Sequence, residues 1–120
     1  MGLDQYLVKP GNEEYPIVQW RKANAIHRWF LERLGLSENF NIGHDTPEFG
    51  FDVLEDLSED CKKALDNDPS ALEKLAPMGG FFFGSRDQDE WWRQDLEFTI
   101  IEINKLRDSG IKTFKYECWW

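Results

Sequence analysis

Lys112-Thr-Phe-Lys-Tyr-Glu-Cys-Trp119 is the stretch that decides the fold. Phe114, Tyr116 and Cys118 alternate with Lys115 and Glu117, the period of two that gives a β-strand one apolar and one polar face. A lone strand leaves its backbone N–H and C=O groups unpaired, so this one needs a mate. The other end of the chain supplies it: residues 3–8, Leu-Asp-Gln-Tyr-Leu-Val, read as a short strand ended by Pro10-Gly11.

Helical spacing fills the interval between these strands. Glu13 to Pro16 open a first helix that runs to about Leu34 and closes at Gly35. Its apolar stripe is Ile17, Trp20, Ala23, His27, Phe30, Leu31 and Leu34, with Lys22, Trp29 and Arg33 opposite. A second helix covers about 52–66, turning Leu54, Leu57, Cys61, Ala64 and Leu65 inward. Asp68-Pro69-Ser70 breaks it, and a short helical turn follows through Leu75. A third helix, capped by Ser85 or Asp87, has Asp89 and Glu90 in its first turn and runs to about Asp108 before Gly110. It points Trp92, Leu96, Ile100, Ile103 and Leu106 inward. The expected fold is α+β: about three helices packed on a small sheet formed by the N- and C-terminal strands, with a third strand drawn from 40–50 or 80–84. A length of 120 residues makes residues 1–120 a single domain.

Composition narrows the function. Aromatic residues make up 15%, enough apolar surface to exclude a disordered chain. A net charge of −9 opposes direct binding to nucleic acid, because phosphate repulsion would dominate. No apolar run reaches membrane-spanning length, and no secretory signal opens the sequence, so no membrane partner is expected. Cys61 and Cys118 form neither a disulfide framework nor a metal site, and the expected compartment is a reducing cytoplasm, that of a host cell. Cys61 is read as a small core residue.

The charge is uneven. Residues 37–76 hold eleven Asp and Glu against Lys62, Lys63 and Lys74. Within that acidic segment Asp52, Glu55, Asp56, Glu59 and Asp60 are the candidate partner-binding residues, able to steer toward a basic surface or imitate a phosphate track. An alternative site is a small-ligand pocket around Trp20, Arg21, Asn24, His27 and Ser85, set on the first helix and on the Phe81–Ser85 loop. There His27 could act as a base or ligand group, or be a core histidine tied to backbone or to Asn24. Arg21 and Arg28, seven residues apart on the first helix, could clamp an anion or offset acidic neighbours. A third possibility is an assembly partner that makes sticky contacts through Trp29, or through Trp119 and Trp120. No cofactor is expected. His27, His44, Asp45 and Glu48 lack the compact spacing of a metal site, Gly80 to Ser85 lacks the phosphate-loop spacing and its Lys, and no nucleophile motif surrounds Ser85, so no catalytic residue is assigned.

Several segments together carry a resemblance: Met1-Gly-Leu-Asp-Gln-Tyr-Leu7, Trp20-Arg-Lys-Ala-Asn-Ala-Ile-His-Arg-Trp-Phe30, Gly80-Phe-Phe-Phe-Gly-Ser85 with Asp89-Glu-Trp91, and the aromatic end Phe114-x-Tyr116…Trp. The chain resembles a family of small uncharacterised proteins found mainly in bacteriophages and prophages. The match spans most of the chain and is weakest over residues 37–76. Members often end in an aromatic-Ser-Ser-Trp tail, where this chain has Cys118-Trp119-Trp120. The resemblance implies no catalytic residues. It places the expected function among phage or mobile-element accessory proteins that act by binding, here an acidic, anti-CRISPR-like inhibitor of a host defence complex. Its partner would be a host protein or nucleoprotein complex with a basic surface. The alternative is a small anionic-ligand or nucleotide-binding protein, or a minor enzyme, built around His27.

Overall fold

The computed structural model describes residues 3–36, 47–77 and 88–119. The chain is α+β. Four strands, β1 (Asp4–Val8), β2 (Val18–Arg21), β3 (Glu48–Gly50) and β4 (Thr113–Trp119), form one antiparallel sheet in the order β2-β1-β4-β3. Among the described residues four helices accompany it: α1 (Asn24–Leu34), α2 (Phe51–Leu65), α3 (Pro69–Lys74) and α4 (Glu90–Arg107). The N- and C-terminal strands lie side by side at the centre, with Leu7 opposite Tyr116 and Gln5 opposite Cys118. The third strand comes from the 40–50 interval as three residues at its end; the 80–84 stretch lies outside the described residues.

The alternation read in β4 holds: Phe114, Tyr116 and Cys118 are buried, and Thr113, Lys115 and Glu117 face outward. Leu7, Trp20, Phe49, Phe114 and Tyr116 give the sheet its inner aromatic face. Phe30 of α1 packs at the middle, stacked on Tyr116 with centroids 4.2 Å apart and met edge-on by Trp29. The helices α2 and α4 close the core with Leu54, Leu57, Cys61, Leu96 and Ile103, all nearly inaccessible to solvent. Cys61 is thus the small core residue its spacing announced.

Three expectations need correction. The first helix does not start near Glu13; residues 18–21 form β2, and α1 begins at Asn24. Val18 and Trp20 point inward while Gln19 and Arg21 point outward, so Trp20 belongs to the sheet and shares no helical stripe with His27. Lys22, with φ of 57°, makes the turn between β2 and α1, and its N–H donates to the Leu3 carbonyl at 2.7 Å. Ahead of β2, Lys9-Pro-Gly-Asn12 makes a turn in which Asn12 N–H donates to Lys9 O at 2.9 Å; Gly11, at φ of 82°, takes the position that requires it. α1 is also buried over more than the expected stripe: Asn24, Ala25, Ile26 and Trp29 join His27, Phe30 and Leu31. Trp29, expected outside, is 4% exposed and donates its indole N–H to Asp60 at 2.8 Å.

The third correction concerns the cap of α4. Ser85 and Asp87 lie outside the described residues; the helix starts at Glu90, and the Asp89 carboxylate accepts from the Trp92 N–H at 3.1 Å. Asp89→Ala is expected to cost about 1 kcal/mol of stability, the usual worth of such a cap. Urea unfolding checks this, and an unchanged midpoint would show that the cap is dispensable.

Candidate functional site

Two groups of polar residues compete for the role of functional site, one outside the molecule and one inside. The outer one lies on α2. Residues 52, 55, 56, 59 and 60 recur at intervals of three and four, which puts all five on one side of a helix. The other side, Val53, Leu54, Leu57, Cys61 and Ala64, faces the core. Asp52, Glu55, Asp56 and Glu59 are exposed, and Asp60 is half-buried. Asp52 also sits in the first turn of α2, where a negative charge suits the helix dipole.

The chain supplies counterions to part of this face. Arg107 of α4 meets Glu55 at 2.7 Å, Arg33 of α1 meets Asp56 at 3.2 Å, and Lys74 of α3 approaches Asp60 to 3.8 Å. Asp52 and Glu59 have no ion-pair partner among the described residues. Exposed pairs of this kind are worth about 0.2–1 kcal/mol, so a partner's cations can replace the internal ones at little cost. Beside this face runs an open groove of about 470 Å³ between α1, α2 and α3. Trp29 lines it together with the acids Glu32, Asp56, Glu59 and Asp60 and the cations Arg33, Lys63 and Lys74. Three of the five acidic residues singled out in the sequence therefore border one concavity.

The inner group is a hydrogen-bonded chain through the core. The Gln5 side chain, wholly buried on β1, pairs with Ala23 as a backbone would: its carbonyl accepts from Ala23 N–H at 2.9 Å and its amide donates to Ala23 O at 3.0 Å. The same amide donates to the Tyr116 hydroxyl at 3.1 Å, and that hydroxyl lies 2.8 Å from His27 Nδ1. With Gln5 donating to the hydroxyl, the tyrosine O–H can donate onward to Nδ1, and burial favours the neutral imidazole. Burial pushes the His27 pKa down to about 4 and holds the Tyr116 phenol well above its usual value. This arrangement joins β1, β4 and α1.

The residues of the alternative pocket are dispersed. Trp20 is buried and donates its indole N–H to Thr99 Oγ1 at 2.9 Å. Asn24 and His27 are buried at the start of α1. Arg21 points to the opposite, outer face of the sheet, near Asp4 at 3.9 Å. Ser85 and the Phe81–Ser85 loop fall outside the described residues. None of Trp20, Arg21, Asn24 and His27 lines the groove. Arg21 and Arg28 form no clamp either. Arg28 reaches Glu32 at 3.1 Å and donates to the Glu73 and Ala76 carbonyls at 3.2 and 3.3 Å, tying α1 to the end of α3.

Among the described residues no cluster of three or more His, Cys, Asp and Glu could hold a metal ion; His44 and Asp45 lie outside them. Both thiols are buried and uncrosslinked, and burial pushes Cys118 up to about 12, leaving it protonated and unreactive. No helix among the described residues is long and apolar enough to cross a membrane. Sequence reasoning missed Gln5 and Tyr116 as partners of His27, and Arg33, Lys74 and Arg107 as partners of the acidic face. Each pairing spans distant segments, for which spacing gives no signal. Comparison with family models, curated proteins and solved structures found no match.

Proposed function

We propose that the protein works by binding another protein through the acidic face of α2, as a phage or mobile-element accessory protein acting in the host cytoplasm. In this reading it is an anti-CRISPR-like inhibitor: the face occupies a Lys/Arg surface on which a host defence complex holds nucleic acid. The observation that carries it is the concentration of Asp52, Glu55, Asp56 and Glu59 on one solvent-exposed side of a helix, in a chain of net charge −9. From Asp52 to Asp60 the face extends about 12 Å along the helix axis. That is the rise of about three to four nucleotides of one strand in a duplex. The resemblance to phage proteins supplies the context, and the burial of His27 against Tyr116 supports reading it as a structural group.

The test uses Asp52 and Glu59, whose replacement breaks no ion pair among the described residues. The wild-type protein, immobilised, is expected to retain a nucleic-acid-handling host protein at low salt and to release it when duplex DNA or high salt is added, because salt screens attraction between exposed charges. Asp52→Asn combined with Glu59→Lys is expected to lose the complex. Retention of the same complex by that variant would refute the α2 reading.

A further inference from the structure

α4 is apolar on two sides. One buries Trp92, Leu96, Thr99, Ile103 and Leu106 against the core, but the other leaves Trp91 73%, Phe98 40% and Ile101 54% exposed. The bare apolar residues share one register: Trp91, Phe98 and Ile101 take a, a and d positions over two heptads, with the polar Gln94 and Lys105 at the remaining d and a positions. In that register the flanking g positions are Glu90 and Glu97, and the e positions are Asp95 and Glu102. Glu90 and Glu97 are exposed; Asp95 is half-buried, and Glu102 is largely covered and meets Lys105 at 2.9 Å. Among the described residues Arg107 is taken by Glu55.

We propose that the exposed side of α4 is half of a short coiled coil, and that its occupant is a helix of another protein with apolar a and d residues and Lys or Arg at e and g. Trp91 and Phe98 are its anchors, since large aromatics dominate helix-face recognition. The acidic flanks select the partner. A second copy of this chain would set acidic e and g positions against acidic ones on a molecule already at −9, and the same charges turn away nucleic acid and anionic lipid. This surface is separate from the α2 face and stands whether or not that face binds anything.

The experiment titrates the protein with two synthetic three-heptad peptides carrying Ile at a and Leu at d, one with Lys at e and g and one with Glu. Binding is read by fluorescence anisotropy of the labelled peptide and by amide shifts in the protein. The Lys peptide is expected to bind at about micromolar Kd, the Glu peptide at least about tenfold more weakly, with shifts centred on residues 90–105. Trp91→Ala, and Phe98→Ser with its folded state confirmed by circular dichroism, are each expected to weaken the Lys peptide about tenfold or more, because they remove the anchors. Asp52→Asn with Glu59→Lys is expected to leave it within about twofold, as residues outside the contact do. Equal binding of both peptides, indifference to Phe98→Ser, or shifts centred on α2 would overturn the proposal. So would self-association in sedimentation that Phe98→Ser abolishes, or binding to phosphatidylglycerol vesicles in place of the peptide.

Discussion

Tyr116→Ala is expected to lower the unfolding free energy by about 5 kcal/mol, which reaches the lower end of the total stability of a domain this size. Two losses combine. The ring leaves a cavity where it stacks on Phe30 at 4.2 Å, and the hydroxyl abandons Gln5 and His27 in a region closed to water. Tyr116→Phe separates them. It keeps the stack and removes only the hydroxyl, so it should cost about 1–3 kcal/mol, the range for leaving buried polar partners unsatisfied. Urea unfolding followed by circular dichroism distinguishes the cases. A Tyr116→Phe protein as stable as wild type would mean that the Gln5–Tyr116–His27 chain contributes nothing to holding β1, β4 and α1 together.

Acid is expected to weaken the fold through His27. Its pKa is about 4 in the folded protein and 6.5 when free, so between these values the unfolded chain binds a proton that the folded one refuses. The contribution is fully present above pH 6.5, declines as pH falls, and is gone below 4. At about 1.4 kcal/mol per unit of separation it amounts to about 3 kcal/mol. Asp95 opposes it. Burial and the neighbouring Asp89 charge raise its pKa from 3.8 to about 6, so its contribution is present at low pH and is lost as pH rises through 6. The two slopes offset each other between pH 4 and 6, and the wild-type curve there is expected to be shallow. The comparison that isolates His27 is Asp95→Asn against Asp95→Asn with His27→Gln. The single variant should lose about 3 kcal/mol more than the double on going from pH 7 to 4. Parallel curves would show that His27 takes up its proton in the folded state and is open to solvent.

How far the sequence could be read follows from how local each signal was. β4, α2 and α4 have strong periods of two or 3.6, and their burial patterns match. The adjacency of β1 and β4 followed from the need of each strand for a mate. β2 was hidden because Trp20 fits two patterns: it stands at helical spacing from Ala23 and His27, and at strand spacing from Val18. What decides between them is the pairing of Trp20 opposite Gln5, together with the turn at Lys22, and neither is written locally. Trp29 reads as outside if a one-sided stripe is expected, whereas α1 is buried over most of its circumference. The polar character of His27 was visible, but its partner lies 89 residues away on β4, so its role as a structural group was not. The five acids of α2 were legible from spacing, whereas the cations that meet three of them come from α1, α3 and α4. The seam on α4 went unread because only the inward stripe of that helix was sought.

We propose the acidic face of α2 as the working surface and the polar core around His27 as architecture. Capture from host lysate at low salt, run side by side with wild type, Asp52→Asn/Glu59→Lys and His27→Gln, tests it most directly, with the folded state of each confirmed by circular dichroism at the working temperature. The account predicts that His27→Gln retains the wild-type partner and the α2 variant does not. A partner kept by the α2 variant and lost by a folded His27→Gln protein would contradict it and move the site to the core of α1.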